Sequence, residues 1–194
     1  MTTKERILDA ALNLFAEKGY DGVGVDLIAE KAGLKGPSIY KHFKSKEEVL
    51  NVLIDQVENY YSMNLGMGAD SGQLPASVDE LITISMKKLE FTLKDETVIK
   101  TRRILAMEQF RNERIARLAT KYNIDNIQNI YQNIFEGMME AGIIERDDAG
   151  MLAMSFTAPI TLLIQKCDRE PERVDEVMDL IMKYLNYYLK KIEK

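Results

Sequence analysis

The chain has 194 residues, 46% of them apolar and 29% charged, the balance of one or two ordinary globular domains, which excludes a disordered or fibrous protein. One cysteine, Cys167, and one histidine, His42, rule out an intrachain disulfide and leave no ligand set for zinc. The net charge of -5 argues at first against a polyanionic partner.

Apolar residues recur at the helical period in nearly every segment, so an all-α fold is expected. Thr2 and Glu5 form a capping-box pattern, Ile7, Leu8, Ala11, Leu12 and Phe15 make one apolar face, and Gly19 is placed to stop this first helix. A short second helix carries Val25, Ile28, Ala29 and Ala32 on one side, with Asp26 in its first turn and Gly33 beyond its end. Pro37 is suited to the first position of a third helix, buried through Ile39 and Phe43. Ser45 and Glu48 repeat the capping-box pattern and open a fourth helix reaching about residue 65.

Residues 66–75 (GMGADSGQLP) hold three glycines and a proline and read as a loop. Beyond it we expect helices from Ser77 to about Leu93, from Thr97 to Gln109, and from Asn112 to Ala141 with a break near Asn123, then two closing helices, Asp148 to Lys166 and Glu172 to Ile192. The first of the closing pair is apolar nearly all round, which predicts burial on more than one side. The second repeats apolar residues from Val174 to Ile192 at three- and four-residue steps. Together they suit one half of an intermolecular four-helix bundle, so a homodimer through residues 148–192 is expected. The charge-free run 149–165 is 17 residues long, short of a membrane span and interrupted by polar residues, and no membrane partner is expected.

The charge is unevenly placed. Residues 1–50 hold eight basic and eight acidic residues, while the remaining eighteen basic and twenty-three acidic residues supply the whole deficit. From Lys31 to Lys46 there are five lysines, at 31, 35, 41, 44 and 46, with His42 and no carboxylate. Two short helices joined by a glycine-containing turn, with this basic block on the second, form a helix-turn-helix over Val25 to Phe43. Gly36, Pro37 and Ser38 are small enough for the backbone to approach a groove. Lys35 and Lys41 suit bases or phosphates, Tyr40 and His42 suit phosphate oxygens, and Lys46 adds charge at a helix start.

At these residues the sequence resembles the tetracycline-repressor (TetR) family of transcriptional regulators. The resemblance runs without a gap from Ile7 to Leu50 and includes the Phe15, Gly19 and Tyr20 spacing, Ile28-Ala29, Ala32-Gly33 and Tyr40-x-His42-Phe43-x-x-Lys46. It implies a helix-turn-helix head, residues 1–47, that binds operator DNA, and a helical effector-binding and dimerisation body, residues 48–194. It also implies phosphate contacts at Tyr40, His42 and Lys46 and base reading at Lys35, Gly36, Pro37, Ser38 and Lys41. Three positions depart from the family pattern: Gly24 stands where a capping threonine is common, Asp26 where a basic residue is frequent, and Pro37 where a glycine is common.

Ten of the eleven methionines follow residue 60. Met63, Met67, Met86, Met107 and Met138, with Phe91, Phe110, Tyr131 and Phe135, are candidates for a pocket holding a small, largely apolar effector, although at helical spacing such residues are more often plain core. Cys167 is expected to be a small buried hydrophobe. The expected protein is thus a cytoplasmic, homodimeric, ligand-responsive repressor without catalytic residues, metal or other cofactor. A head regulated by a protein partner is the alternative, and a helical enzyme or lipid carrier a more distant one, since no nucleophile elbow, phosphate loop or metal-ligand spacing is present.

Overall fold

The computed structural model describes residues 1–65 and 74–194, with only the backbone described at 57, 58 and 61–65. The loop expected over 66–75 therefore lies, but for Leu74 and Pro75, outside the described residues. Two compact units form: Met1–Asn64 with Glu96–Leu118, and Leu65–Asp95 with Ala119–Lys194.

The first unit begins with α1 (Thr3–Lys18), started by a complete capping box. The Thr2 hydroxyl accepts from the Glu5 N–H at 3.3 Å, and the Glu5 carboxylate accepts from the Thr2 N–H at 2.7 Å. Gly19 ends the helix at φ +71°, a left-handed value that suits glycine. Helix α2 (Val25–Lys31) has no side-chain cap, because Gly24 occupies the capping position. Its other end is held from α1: the Arg6 guanidinium donates to the carbonyl oxygens of Ala32 and Gly33. The third segment, Gly36–Lys41, is a 3₁₀ helix rather than an α-helix, and Pro37 is its second residue. The segment is six residues long, and 3₁₀ geometry is common in such short pieces.

Helix α3 (Lys46–Leu65) follows. The Ser45 hydroxyl accepts from the Glu48 N–H at 3.1 Å as expected, but the Glu48 carboxylate turns to the Lys44 N–H, so the reciprocal half of the box closes one residue earlier than the sequence pattern suggests. Ile7, Phe15, Ile28, Ile39, Phe43, Val49 and Leu50 are buried and unite these elements, each such side chain contributing about 1.5–3 kcal/mol. Helices α5 (Glu96–Glu108) and α6 (Glu113–Thr120) belong to this unit as far as Leu118, with α5 packed on α1.

The second unit comprises α4 (Val78–Lys94), α7 (Asn126–Glu140), α8 (Ala149–Arg169) and α9 (Val174–Leu189). A single π turn, Lys121–Asp125, sits between α6 and α7, so the expected break near Asn123 is an inserted residue in a continuing helix. Val78, Leu81, Phe135, Met138, Phe156, Val177, Ile181, Leu185 and Leu189 form the core, and Cys167 is buried. Pro159 lies inside α8 and cannot donate to the Ser155 carbonyl. The Tyr184 hydroxyl on α9 fills that place, donating to Ser155 O at 2.5 Å. Within the single chain α8 leaves Met151, Met154 and Leu162 exposed.

Candidate nucleic-acid interface

In a 3₁₀ helix residues three apart share a row, and this sorts the side chains of Gly36–Lys41. Ile39 is buried and Phe43, four residues on, is buried with it. Of the other rows, Lys35, Pro37, Tyr40 and Lys41 are exposed and Ser38 is half-buried; Gly36, in the row of Ile39, is half-buried, and His42, just past the end of the helix, is exposed. Tyr40 is 59% exposed, too open to be a core aromatic. These residues are therefore accessible from outside, and Lys31 and Lys44, before and after them in the chain, are exposed too.

Lys46 stands apart from the other predicted contacts. Its ammonium donates to the carbonyls of Tyr20 at 2.8 Å and Val23 at 2.9 Å and lies 4.0 Å over the Tyr20 ring. These bonds hold the turn between α1 and α2. A carboxylate also enters where the sequence shows none. Asp26 Oδ1 lies 2.3 Å from where a Cβ on Gly36 would sit, so Gly36 is needed for this close approach. Nothing in the local sequence links residues ten apart on different elements. Arg6, which ties α1 to the end of α2, and Glu108, whose buried carboxylate accepts from the Tyr20 N–H at 2.9 Å, escape sequence inspection for the same reason.

The predicted pocket residues divide between the units. Phe135 and Met138 are fully buried core, with Met86 and Tyr131 packed against it. Phe91 is half-buried on α4. The Tyr131 ring centroid lies 4.4 Å from that of Phe156, and its hydroxyl donates to the buried Ser85 at 3.0 Å. Burial raises the Tyr131 pKa, and the Ser85 contact partly offsets this. Met107 and Phe110 belong to the first unit, and they are 38% and 89% exposed. The Met63 side chain and Met67 lie outside the described residues. Among the described residues no helix is long and apolar enough to cross a membrane, and no three His, Cys, Asp or Glu residues group as a metal site.

Residues 7–53 match the family described as bacterial regulatory proteins, tetR family. The negative transcriptional regulator IcaR of the biofilm operon icaADBC from Staphylococcus epidermidis is 40% identical over 58 residues, which are 30% of this chain and 31% of the relative. Its counterpart from Staphylococcus aureus is 42% identical over 65 residues, 31% of this chain and 35% of the relative. The match thus spans about a third of the length of these curated relatives. SmeT, the repressor of the Stenotrophomonas maltophilia multidrug efflux pump SmeDEF, is similar in fold, with a TM-score of 0.72 at 22% identity, covering 100% of this chain and 92% of that one. The SmeT complex with triclosan gives a TM-score of 0.77 at 21% identity, covering 100% and 93%.

Proposed function

We propose that this chain, whose residues 7–53 belong to the tetR family of bacterial regulatory proteins, is a transcriptional repressor that acts in the cytoplasm as a homodimer and releases operator DNA when a small, largely apolar effector binds. DNA binding is assigned to the head, residues 1–47, and regulation and dimerisation to residues 48–194. The observation that carries this reading is the exposed surface of Lys35, Pro37, Tyr40, Lys41 and His42 on and beside the 3₁₀ helix, with Ile39 anchoring its back. Lysines there reach phosphates, and Lys35 with the small residues Gly36 to Ser38 meets base edges.

The exposed apolar residues Met151, Met154 and Leu162 of α8 and Leu180, Met182 and Tyr187 of α9 support dimerisation through this pair of helices, because a twofold contact buries the same apolar surface on both copies. Two heads about 34 Å apart, or a small multiple of that, then meet successive major grooves on one side of a duplex. Triclosan in the SmeT complex supports an apolar effector, and the aromatic group of Tyr131, Phe135, Phe156 and Tyr188 is the chemistry in this body that suits one. The effector lowers DNA affinity only as far as it prefers the body whose heads are wrongly spaced.

Selection of bound duplexes from a random pool tests the reading. An enriched inverted repeat with half-sites about 10 base pairs apart, or a multiple, is the expected result. A pool that enriches nothing, or only isolated half-sites, contradicts it.

A further inference from the structure

The stretch 96–118 is flanked on both sides by sequence of the second unit, yet it clusters with the first. A single residue, Asp95, separates α4 from α5, and α6 continues past Leu118 to Thr120. In sequence this stretch lies within the body, and by packing it belongs to the first unit. Among the described residues, the side chains that tie it to residues 1–64 include those of Arg111, Arg114 and Glu108. Arg111 pairs with Asp21 at 3.6 Å, both largely exposed, and Arg114 reaches Asp55 at 2.6 Å and Asn51 at 2.5 Å near the surface. Ties of that kind add little. The third is Glu108, only 3% exposed, whose Oε1 accepts from the Tyr20 N–H at 2.9 Å. Removing an acceptor that is out of water leaves its donor unsatisfied, which costs more than the loss of an exposed pair.

The bond falls on a particular piece of backbone. Tyr20 follows Gly19, which has φ +71° and would place a Cβ 3.2 Å from Glu108 Oε1. From the opposite side the Lys46 ammonium holds the carbonyls of Tyr20 and Val23. Within the turn itself the one backbone bond is Val23 N–H to Tyr20 O, at 3.3 Å. Two residues after Val23, α2 begins without a side-chain cap of its own. Arg6 on α1 and the shared apolar core hold the far end of α2, and side chains from α3 and α5 hold the turn that leads into it, and with it the approach of the 3₁₀ helix packed on α2.

We propose that Glu108 is a positioning residue for DNA binding: as an acceptor it fixes the Tyr20–Val23 turn and so aims the helix-turn-helix. This inference rests on the DNA-binding reading above. It requires the acceptor oxygen and not the charge, since the partner is a backbone N–H. Glutamine should therefore serve, and alanine or aspartate, which removes or withdraws the acceptor, should not.

The test uses the full chain as wild type, Glu108→Ala, Glu108→Asp, Glu108→Gln and the surface control Arg111→Ala, each measured for affinity to the duplex enriched by the wild type and for hydrogen exchange at the Tyr20 amide. Leaving the part-buried Tyr20 N–H without its acceptor corresponds to about tenfold or more in affinity. Glu108→Ala and Glu108→Asp are expected to lose at least that much, with faster Tyr20 exchange, an unchanged salt dependence and retained helical circular dichroism. Glu108→Gln and Arg111→Ala are expected to stay within about threefold of wild type. Where Glu108→Ala does not fold, Glu108→Asp decides. Wild-type affinity in a folded Glu108→Ala or Glu108→Asp variant, or a Glu108→Gln loss equal to that of Glu108→Asp, overturns the role of Glu108. A wild-type chain that enriches no duplex overturns the DNA-binding reading itself, a separate outcome.

Discussion

The Lys46 ammonium donates to the Tyr20 carbonyl at 2.8 Å and lies 4.0 Å over the ring of the same residue. A lysine so engaged is a fastener of the α1–α2 turn before it is a phosphate contact. Lys46→Ala should therefore destabilise the first unit by about 1.5–3 kcal/mol, the range for a bond to a charged group. It should leave the slope of log affinity against log salt unchanged. Lys41→Ala should do the opposite, changing stability little and lowering the slope by about 2 for a dimer, one phosphate per subunit. Denaturant unfolding and binding across a salt series separate the two, and a slope change with Lys46→Ala would return that residue to the phosphate set.

The same binding series distinguishes base reading from charge. Lys35 is exposed immediately before the 3₁₀ helix, so Lys35→Ala should weaken binding and also relax base preference at one position per half-site by about 1–3 kcal/mol. Unchanged preference in a repeated selection would remove Lys35 from base readout.

Gly36 and Asp26 should prove coupled. A Cβ at residue 36 meets Asp26 Oδ1 at 2.3 Å, so Gly36→Ala turns that exposed carboxylate aside, at a cost of about 0.5–1.5 kcal/mol. Combining it with Asp26→Ala should recover most of the loss in a double-mutant cycle. Additive effects would mean that the two residues do not share this space.

In the body, Tyr184 completes the bond that Pro159 withholds from Ser155. Tyr184→Phe should cost about 1 kcal/mol in the native background. It should cost less beside Pro159→Ala, where a backbone N–H becomes available. Equal costs in both backgrounds, measured by urea unfolding, would contradict this division of labour.

Tyr131 gives a pH dependence. Burial holds its pKa above the ordinary value of 10.0, with Ser85 partly offsetting the shift. The unfolded chain then loses this proton first, so the stabilisation is complete below about pH 10 and declines as pH rises through the folded-state pKa. Melting temperature should fall above pH 10, and Tyr131→Phe should flatten that fall while lowering stability at neutral pH. Parallel alkaline profiles for the two proteins would contradict the assignment.

How far the sequence reveals these features depends on their range. Thr2 with Glu5, Gly19, Ser77 and the period-3.6 faces are local signals, and the helices they announce are present. The third helix of the head, Gly36–Lys41, is 3₁₀, and an apolar pair four apart such as Ile39 and Phe43 does not distinguish that geometry from an α-helix. Bonds such as Glu108 to Tyr20 join residues 88 apart and leave no periodic trace. The sorting of lysines from carboxylates along the chain is likewise modified in space, where Asp26 faces Gly36. Met107 and Phe110, chosen by residue type, lie in the first unit and are exposed, a position that residue type alone does not reveal.

The dependence of DNA affinity on salt bears most directly on whether an acidic chain grips DNA through one basic surface. Lys31, Lys35, Lys41 and Lys44 are exposed, four per subunit and hence eight per dimer. At about 0.9 per phosphate they predict a slope of log affinity against log salt near -7 on the selected duplex. A slope near zero on that same duplex would contradict DNA binding by the exposed lysines of the helix-turn-helix.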